Sequence, residues 1–224
     1  MNSSQSGFLG SIPTVTKNII IINVIVWLAQ VVLLRNGVDL SAKFGLHYIG
    51  SQHFSIYQLI TYMFLHDPYS FMHVFFNMFA VFMFGRTLEH VWGPKRFLSF
   101  YFITGIGAAL TQLLIIFIRL QTASPENVYQ LMNSVTIGAS GAVFGILLAF
   151  GMLFPNAELF LIPFPFPIKA KWFVLGYGLI ELFFGVSNFS GDNVAHFAHL
   201  GGMIFGIFVI LYWKKKDKER GRFY

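Results

Sequence analysis

The stretch GASGAVFGILLAFGMLF, residues 138–154, carries no charge and holds a single hydroxyl, Ser140, near its start. A membrane-spanning helix needs about 20 mainly apolar residues, within a range of roughly 17–25. Five further runs of this kind flank it: Asn18–Leu34, Tyr69–Leu88, Arg96–Ile118, Ala170–Ser187 and Val194–Trp213. Composition agrees, since the 224 residues are 56% hydrophobic and 11% charged, with a mean hydropathy of +0.67. A soluble domain carries about 25% charged residues, so too little polar surface is available here to cover a water-soluble globule. The expected fold is an all-α membrane protein, one six-helix bundle over residues 18–213. It lies between a polar N-terminal segment (1–17) and a basic tail (214–224). The opening segment has no basic n-region and no A-x-A-like cleavage site, so the first run reads as a membrane helix and not as a removed signal.

The connections carry their own signals. Residues 35–68 mix aromatic and polar groups and suggest partial helices at the membrane interface. The other long connection is 119–137. Pro155–Pro167, with Pro163 and Pro165 inside it, reads as an extended link. With both termini on one side, that side receives Lys17, Arg86, Lys95, Arg96, Lys169, Lys171, Lys214, Lys215, Lys216, Lys218, Arg220 and Arg222. The other side receives Arg35, Lys43 and Arg119. This asymmetry places both termini in the cytoplasm and the chain in the cell (cytoplasmic, inner) membrane as a multi-pass protein. The net charge of +6 is therefore a topology signal, and no nucleic-acid partner is expected. The basic tail anchors near anionic lipid.

The second, fourth and sixth runs then all descend from the outer face, so their first turns share one depth. Those turns carry His73 and Asn77, Ser140, and His196 with His199. Polar groups within a membrane are costly and are functional candidates by default. Cysteine is absent, which removes thiol nucleophiles and thiolate metal sites. Gly138-Ala139-Ser140-Gly141 taken alone would serve helix packing through small residues equally well. At a helix start, however, Ser140 lies beside backbone N–H groups without intrahelical partners, and these with the helix dipole stabilise an oxyanion. Flanking Gly138 and Gly141 let a substrate backbone approach.

A serine needs a base within hydrogen-bond reach. The sixth run offers His199, beside the small-residue face formed by Gly202 and Gly206, which can pack against the fourth run. Phe144, four residues after Ser140, shares its face and is placed to stack on the imidazole. His73 and Asn77 are spaced i, i+4 and suit an oxyanion hole, though interhelical hydrogen bonding explains either alone. Asp39, Asp67 and Asp192 lie in outer loops, so a Ser–His dyad is expected with no carboxylate completing it. Glu181, inside the fifth run, is either protonated and hydrogen-bonded or faces a polar cavity. Glu89, between Gly85 and Gly93, reads as a structural hydrogen-bonding group. His66 and His196 sit near the outer surface, His196 as an aid to structure or water access. Trp172, Phe173, Phe183 and Phe184 suit either lipid contact or a gate.

In order and spacing, His73-x-x-x-Asn77, Gly85-x-x-x-Glu89-x-x-x-Gly93, Gly138-x-Ser140-Gly141 and Ala198-His199-x-x-Gly202-x-x-x-Gly206 resemble the rhomboid family, over roughly residues 60–210. The resemblance is to the minimal six-helix bacterial type. It implies an intramembrane serine protease cleaving transmembrane protein substrates near their outer helix ends, with lateral entry between the second and fifth helices. By position it implies Ser140 as nucleophile, His199 as general base, and His73, Asn77 and the Ser140 N–H as oxyanion donors, with no cofactor. Two departures stand out: the 35–68 loop lacks the Trp-Arg pair of some members, and position 144 is Phe where some have Tyr. The alternative from another class is a non-catalytic rhomboid-like binder of transmembrane clients, which typically lacks the serine or the histidine. A metal site built from His66, His73, His196 and His199 has poor ligand spacing, and no metal is expected. A transporter would want paired intramembrane charges or broken helices in repeated halves, and the sequence carries neither.

Overall fold

The computed structural model describes residues 12–160, 166–187 and 195–220. Its long helices are α1 (Thr14–Arg35), α4 (Phe71–Trp92), α5 (Pro94–Leu120), α8 (Ala170–Ser187) and α9 (His196–Glu219); each is long and apolar enough to cross a membrane. The short elements are α2 (Leu40–Phe44), β1 (Leu46–His47), α3 (Gln58–Thr61), α6 (Pro125–Asn133), β2 (Val135–Thr136), α7 (Ser140–Leu153), β3 (Glu158–Phe160) and β4 (Pro167–Lys169). Val194, where the sixth run starts, and Asp192 in the loop before it lie outside the described residues, as do Pro163 and Pro165.

α1 shows what solvent the exterior faces. It buries Thr16, Asn23 and Gln30 beside Ile19, while Ile21, Ile25, Leu28 and Val32 are exposed. Polar groups inward and aliphatic groups outward is the pattern of a helix in lipid, where buried amides find partners within the protein. Asn23 donates to the Ile19 carbonyl (2.8 Å), and Gln30 donates to Ser41 Oγ (3.0 Å) and accepts from the His66 N–H (2.9 Å). The multi-pass membrane character expected from composition is therefore present in the fold.

Several helices outrun their apolar runs, and at α1 and α9 a polar partner accounts for it. α1 starts at Thr14, ahead of the run at Asn18, because Glu89 satisfies its first turn. The carboxylate accepts from the N–H groups of Val15 (2.9 Å) and Thr16 (2.7 Å) and from Thr16 Oγ1 (2.7 Å), as an acidic group at a helix N-terminus should. The structural reading of Glu89 thus acquires a definite form. α9 continues past Trp213 to Glu219, held by a two-pronged pair of Arg96 with Asp217 at 2.9 and 2.6 Å. The guanidinium also lies over the Trp213 ring.

At the centre stands α7, shorter than the five spans and buried continuously from Gly141 to Gly151. A helix that is apolar all round belongs in the middle of a bundle. α9 packs against it and against α5 through small residues. A β-carbon at Gly202 would overlap the Gly141 carbonyl oxygen, and one at Gly201 would overlap Thr111 on α5. Loops complete the end of the bundle at which α7 starts: β1 pairs antiparallel with β2, Leu46 opposite Thr136. This joins the two long connections, a pairing that such short strands do not announce. β3 and β4 pair antiparallel with Glu158 opposite Lys169, so the described ends of the link expected there are extended.

Because backbone atoms cannot yield as a side-chain tip can, Gly202→Ala should lower stability by about 1–3 kcal/mol. The check is the thermal unfolding midpoint in detergent, with Gly176→Ala, where a β-carbon meets nothing within 4 Å, as the neutral comparison.

Candidate active site

Ser140 is the first residue of α7, with Ala139 before it and no side chain capping that terminus. The approach is set by Gly138, whose φ of +128° lies where L side chains are strained. Its N–H donates to the Tyr62 carbonyl at 3.0 Å, and the Tyr62 hydroxyl donates to the Gly105 carbonyl on α5 at 2.7 Å. The turn that presents Ser140 is thereby held from below by a fully buried tyrosine.

His199, on the first turns of α9, places Nε2 2.8 Å from Ser140 Oγ. One face of its imidazole stacks on Phe144, centroids 4.3 Å apart and planes 7° from parallel, the contact expected from the i, i+4 spacing. With Nε2 accepting from the hydroxyl, the ring proton belongs on Nδ1.

Nδ1 has a partner that the sequence reading did not supply. Glu181 Oε2 stands 2.8 Å from it, and the same oxygen lies 2.7 Å from His196 Nδ1. A carboxylate thus stands against His199 where only Asp39, Asp67 and Asp192 had been weighed for that place, and Glu181, left open in the sequence, is hydrogen-bonded rather than alone. The reason is helix packing: one turn beyond Glu181, Gly185 fits close against Phe197 and His196, which turns the Glu181 face of α8 toward α9. Asp67 does take part, but through its backbone, and Asp192 lies outside the described residues. The only sequence signal for Glu181 was that it is a carboxylate inside an apolar run.

His73 on α4 also reaches the site. A β-carbon at Gly138 would sit 3.0 Å from His73 Nε2 and 3.5 Å from Ser140 Oγ, so the two side chains border one small space. The Asp67 N–H donates to His73 Nδ1 (3.2 Å), leaving the ring proton on Nε2, aimed at that space. Asn77 is buried on the next turn, and its amide donates to the His73 carbonyl at 2.8 Å. One of its two N–H bonds is thus spent within its own helix.

The loop that orients His73 is itself anchored. Trp27 donates to the Asp67 carbonyl (3.1 Å), and Gln30 holds the His66 N–H. The His66 ring, fully buried, meets the His73 ring edge-on at 5.0 Å. Burial, followed by the neighbouring His73, pushes the His66 pKa down to about 3 against a weaker opposing effect of the Phe64 backbone.

Glu181, His196 and His199 are also the set of donors that a metal ion could use, their ligand atoms lying within 4.8 Å of one another. Donors on a tetrahedral zinc with bonds of roughly 2.0–2.1 Å stand about 3.3 Å apart. The observed 2.7 and 2.8 Å separations are hydrogen-bond lengths, so protons bridge these groups as they stand.

Fold and site together define a multi-pass membrane protein in which a buried histidine on one helix meets a half-buried serine on another. Residues 53–216 match the family described as the Rhomboid domain, and the chain belongs to the rhomboid family. It is 32% identical over 161 residues to Rhomboid protein 1, mitochondrial, of Saccharomyces cerevisiae, covering 68% of this chain and 41% of that protein. With RHOMBOID-like protein 12, mitochondrial, of Arabidopsis thaliana it shares 30% over 175 residues, 75% of this chain and 48% of the relative. With Rhomboid protease AarA of Providencia stuartii it shares 28% over 211 residues, 90% and 72%. The chain thus spans about half or less of the first two relatives and most of the third.

His66 is neutral in the fold and titrates near 6.5 when exposed, so its contribution is complete above pH 6.5 and is lost as pH falls toward 3. The stability gap between wild type and His66→Gln should therefore narrow by up to about 1.4 kcal/mol per pH unit below 6.5. Unfolding midpoints of both proteins from pH 7 to 4.5 measure it, and a constant gap would contradict the assignment.

Proposed function

We propose that this chain is an intramembrane serine endopeptidase, cleaving transmembrane-helix substrates near the outer face of the cell membrane. The observation that carries the reading is the 2.8 Å contact of Ser140 Oγ with His199 Nε2 at the N-terminus of a helix buried from Gly141 to Gly151. Family membership supports it, as do relatives named as proteases. Six membrane helices over residues 18–213 with both termini cytoplasmic, the orientation favoured by the charge asymmetry, put this terminus toward the outer face.

As Ser140 Oγ attacks the scissile carbonyl, its proton passes to His199 Nε2. Negative charge gathers on the carbonyl oxygen and is met by the His73 Nε2–H, the Asn77 amide and the Ser140 N–H at the positive end of α7. His199 then protonates the leaving amine, and the C–N bond breaks to leave an acyl-serine. Water, activated by the same imidazole, releases the acid. The substrate supplies an extended segment, for which Gly138 and Gly141 leave room beside the nucleophile. No metal or cofactor enters any step.

A fluorophosphonate probe tests this without knowledge of the substrate. Its phosphorus should bond to Ser140 Oγ with loss of fluoride in wild type, and Ser140→Ala should show no labelling. His199→Ala should slow labelling at least about 100-fold, the usual scale for loss of a general base. Folded wild type that stays unlabelled would overturn the reading and favour a non-catalytic holder of transmembrane clients.

A further inference from the structure

The charged and polar groups that face His199 come from three elements. From α7 comes Ser140, from α8 Glu181, and from the first turn of α9 itself His196. His73, oriented by the Asp67 N–H, borders the same space beyond Ser140, and Arg119 of α5 lies one helical turn away, donating to the Gly185 carbonyl at 3.1 Å. Among these, Glu181 makes the direct contact with the side of the imidazole opposite the serine.

The geometry points to Glu181 as a positioning residue that turns the Ser140–His199 pair into a glutamate–histidine–serine line, with His196 as the bracket that holds the carboxylate in place. This rests on the protease reading above. Three features support it. Glu181 Oε2 to His199 Nδ1 is 2.8 Å, and His199 Nε2 to Ser140 Oγ is 2.8 Å, so both ring nitrogens are engaged and the tautomer is set from the carboxylate side. His196 Nδ1 lies 2.7 Å from the same Oε2 while its ring stacks on Phe184, three residues after Glu181 on α8. A carboxylate oxygen with two N–H donors on it has little freedom to rotate away. Finally, Glu181 and His199 are both buried, and in a medium from which water is largely excluded a carboxylate stabilises a neighbouring imidazolium more than it would in water.

The proton accounting is simple. When Ser140 attacks, its proton moves to Nε2 and His199 becomes an imidazolium; the Nδ1 proton stays on Nδ1, hydrogen-bonded to Glu181, which remains a carboxylate throughout. Glu181 touches no substrate atom and acts only through His199.

Glu181→Gln separates charge from shape, because the amide is nearly isosteric and its oxygen can still accept from both imidazoles. The expected result is fluorophosphonate labelling at least about 100-fold slower than wild type, toward the roughly 10,000-fold loss seen where an orienting carboxylate is replaced by its amide. The rising limb of labelling rate against pH should also move to lower pH, since the imidazolium has lost its counter-charge. Glu181→Asp keeps the charge and should keep a wild-type pH limb, which preserves the test if the glutamine variant folds poorly. His196→Ala should slow labelling less than Glu181→Gln does. Equal rates for wild type and Glu181→Gln would overturn the inference while leaving the protease reading intact. So would a slower rate with an unmoved pH limb, which would mark a packing role alone. A wild-type rate that rises on addition of EDTA would show these donors holding a metal, and would overturn it too. Failure of folded wild type to label at all would sink both readings together.

Discussion

The contact between the backbones of α7 and α9, where Gly202 meets the Gly141 carbonyl, is the constraint from which the rest of the site follows. Only a residue without a side chain lets two helices approach this closely. Each helix brings one member of the hydrogen-bonded serine–histidine pair near the point of contact: Ser140 precedes Gly141, and His199 lies three residues before Gly202. A wider crossing would separate hydroxyl from imidazole by more than a hydrogen bond spans. Small-residue contacts of α9 with Thr111 and of α7 with Thr104 on α5 then lock three helices into one unit. The remaining helices are arranged around this unit.

Around that unit, polar groups occur where a partner is already waiting. Glu89 accepts the first-turn N–H groups of α1, Gln30 holds the loop that carries His66 and Asp67, and Glu181 takes two imidazoles on one oxygen. In an apolar medium an unpartnered polar group costs several kcal/mol, so each pairing also dictates where a segment must lie. Through Trp27 and Gln30, α1 positions the loop whose Asp67 N–H orients His73. Structural and chemical roles are thus linked through hydrogen bonds that cross from one helix to the next.

Much of this was legible in the chain. Apolar runs marked the five long helices, and helical spacing anticipated one side-chain relation that holds in space, Phe144 stacked on His199. Other features were not legible. The starting point of α1 depended on Glu89, far away in sequence, and the end of α9 on Arg96. The pairing of β1 with β2 involves two residues on each strand, too few to leave a period. Asp67 stood out as a carboxylate but contributes its backbone to His73, whereas Glu181, left open in the sequence, lies against His199.

The sequence by itself determined the solvent and the candidate site residue types, since hydropathy and the presence of a serine, a histidine and small residues at helical spacing are properties of short stretches. Tertiary structure alone decided which carboxylate faces His199. That outcome depends on how α8 rotates about its own axis, which is set by Gly185 closing on Phe197 and His196, and no local pattern encodes the rotation of one helix against another.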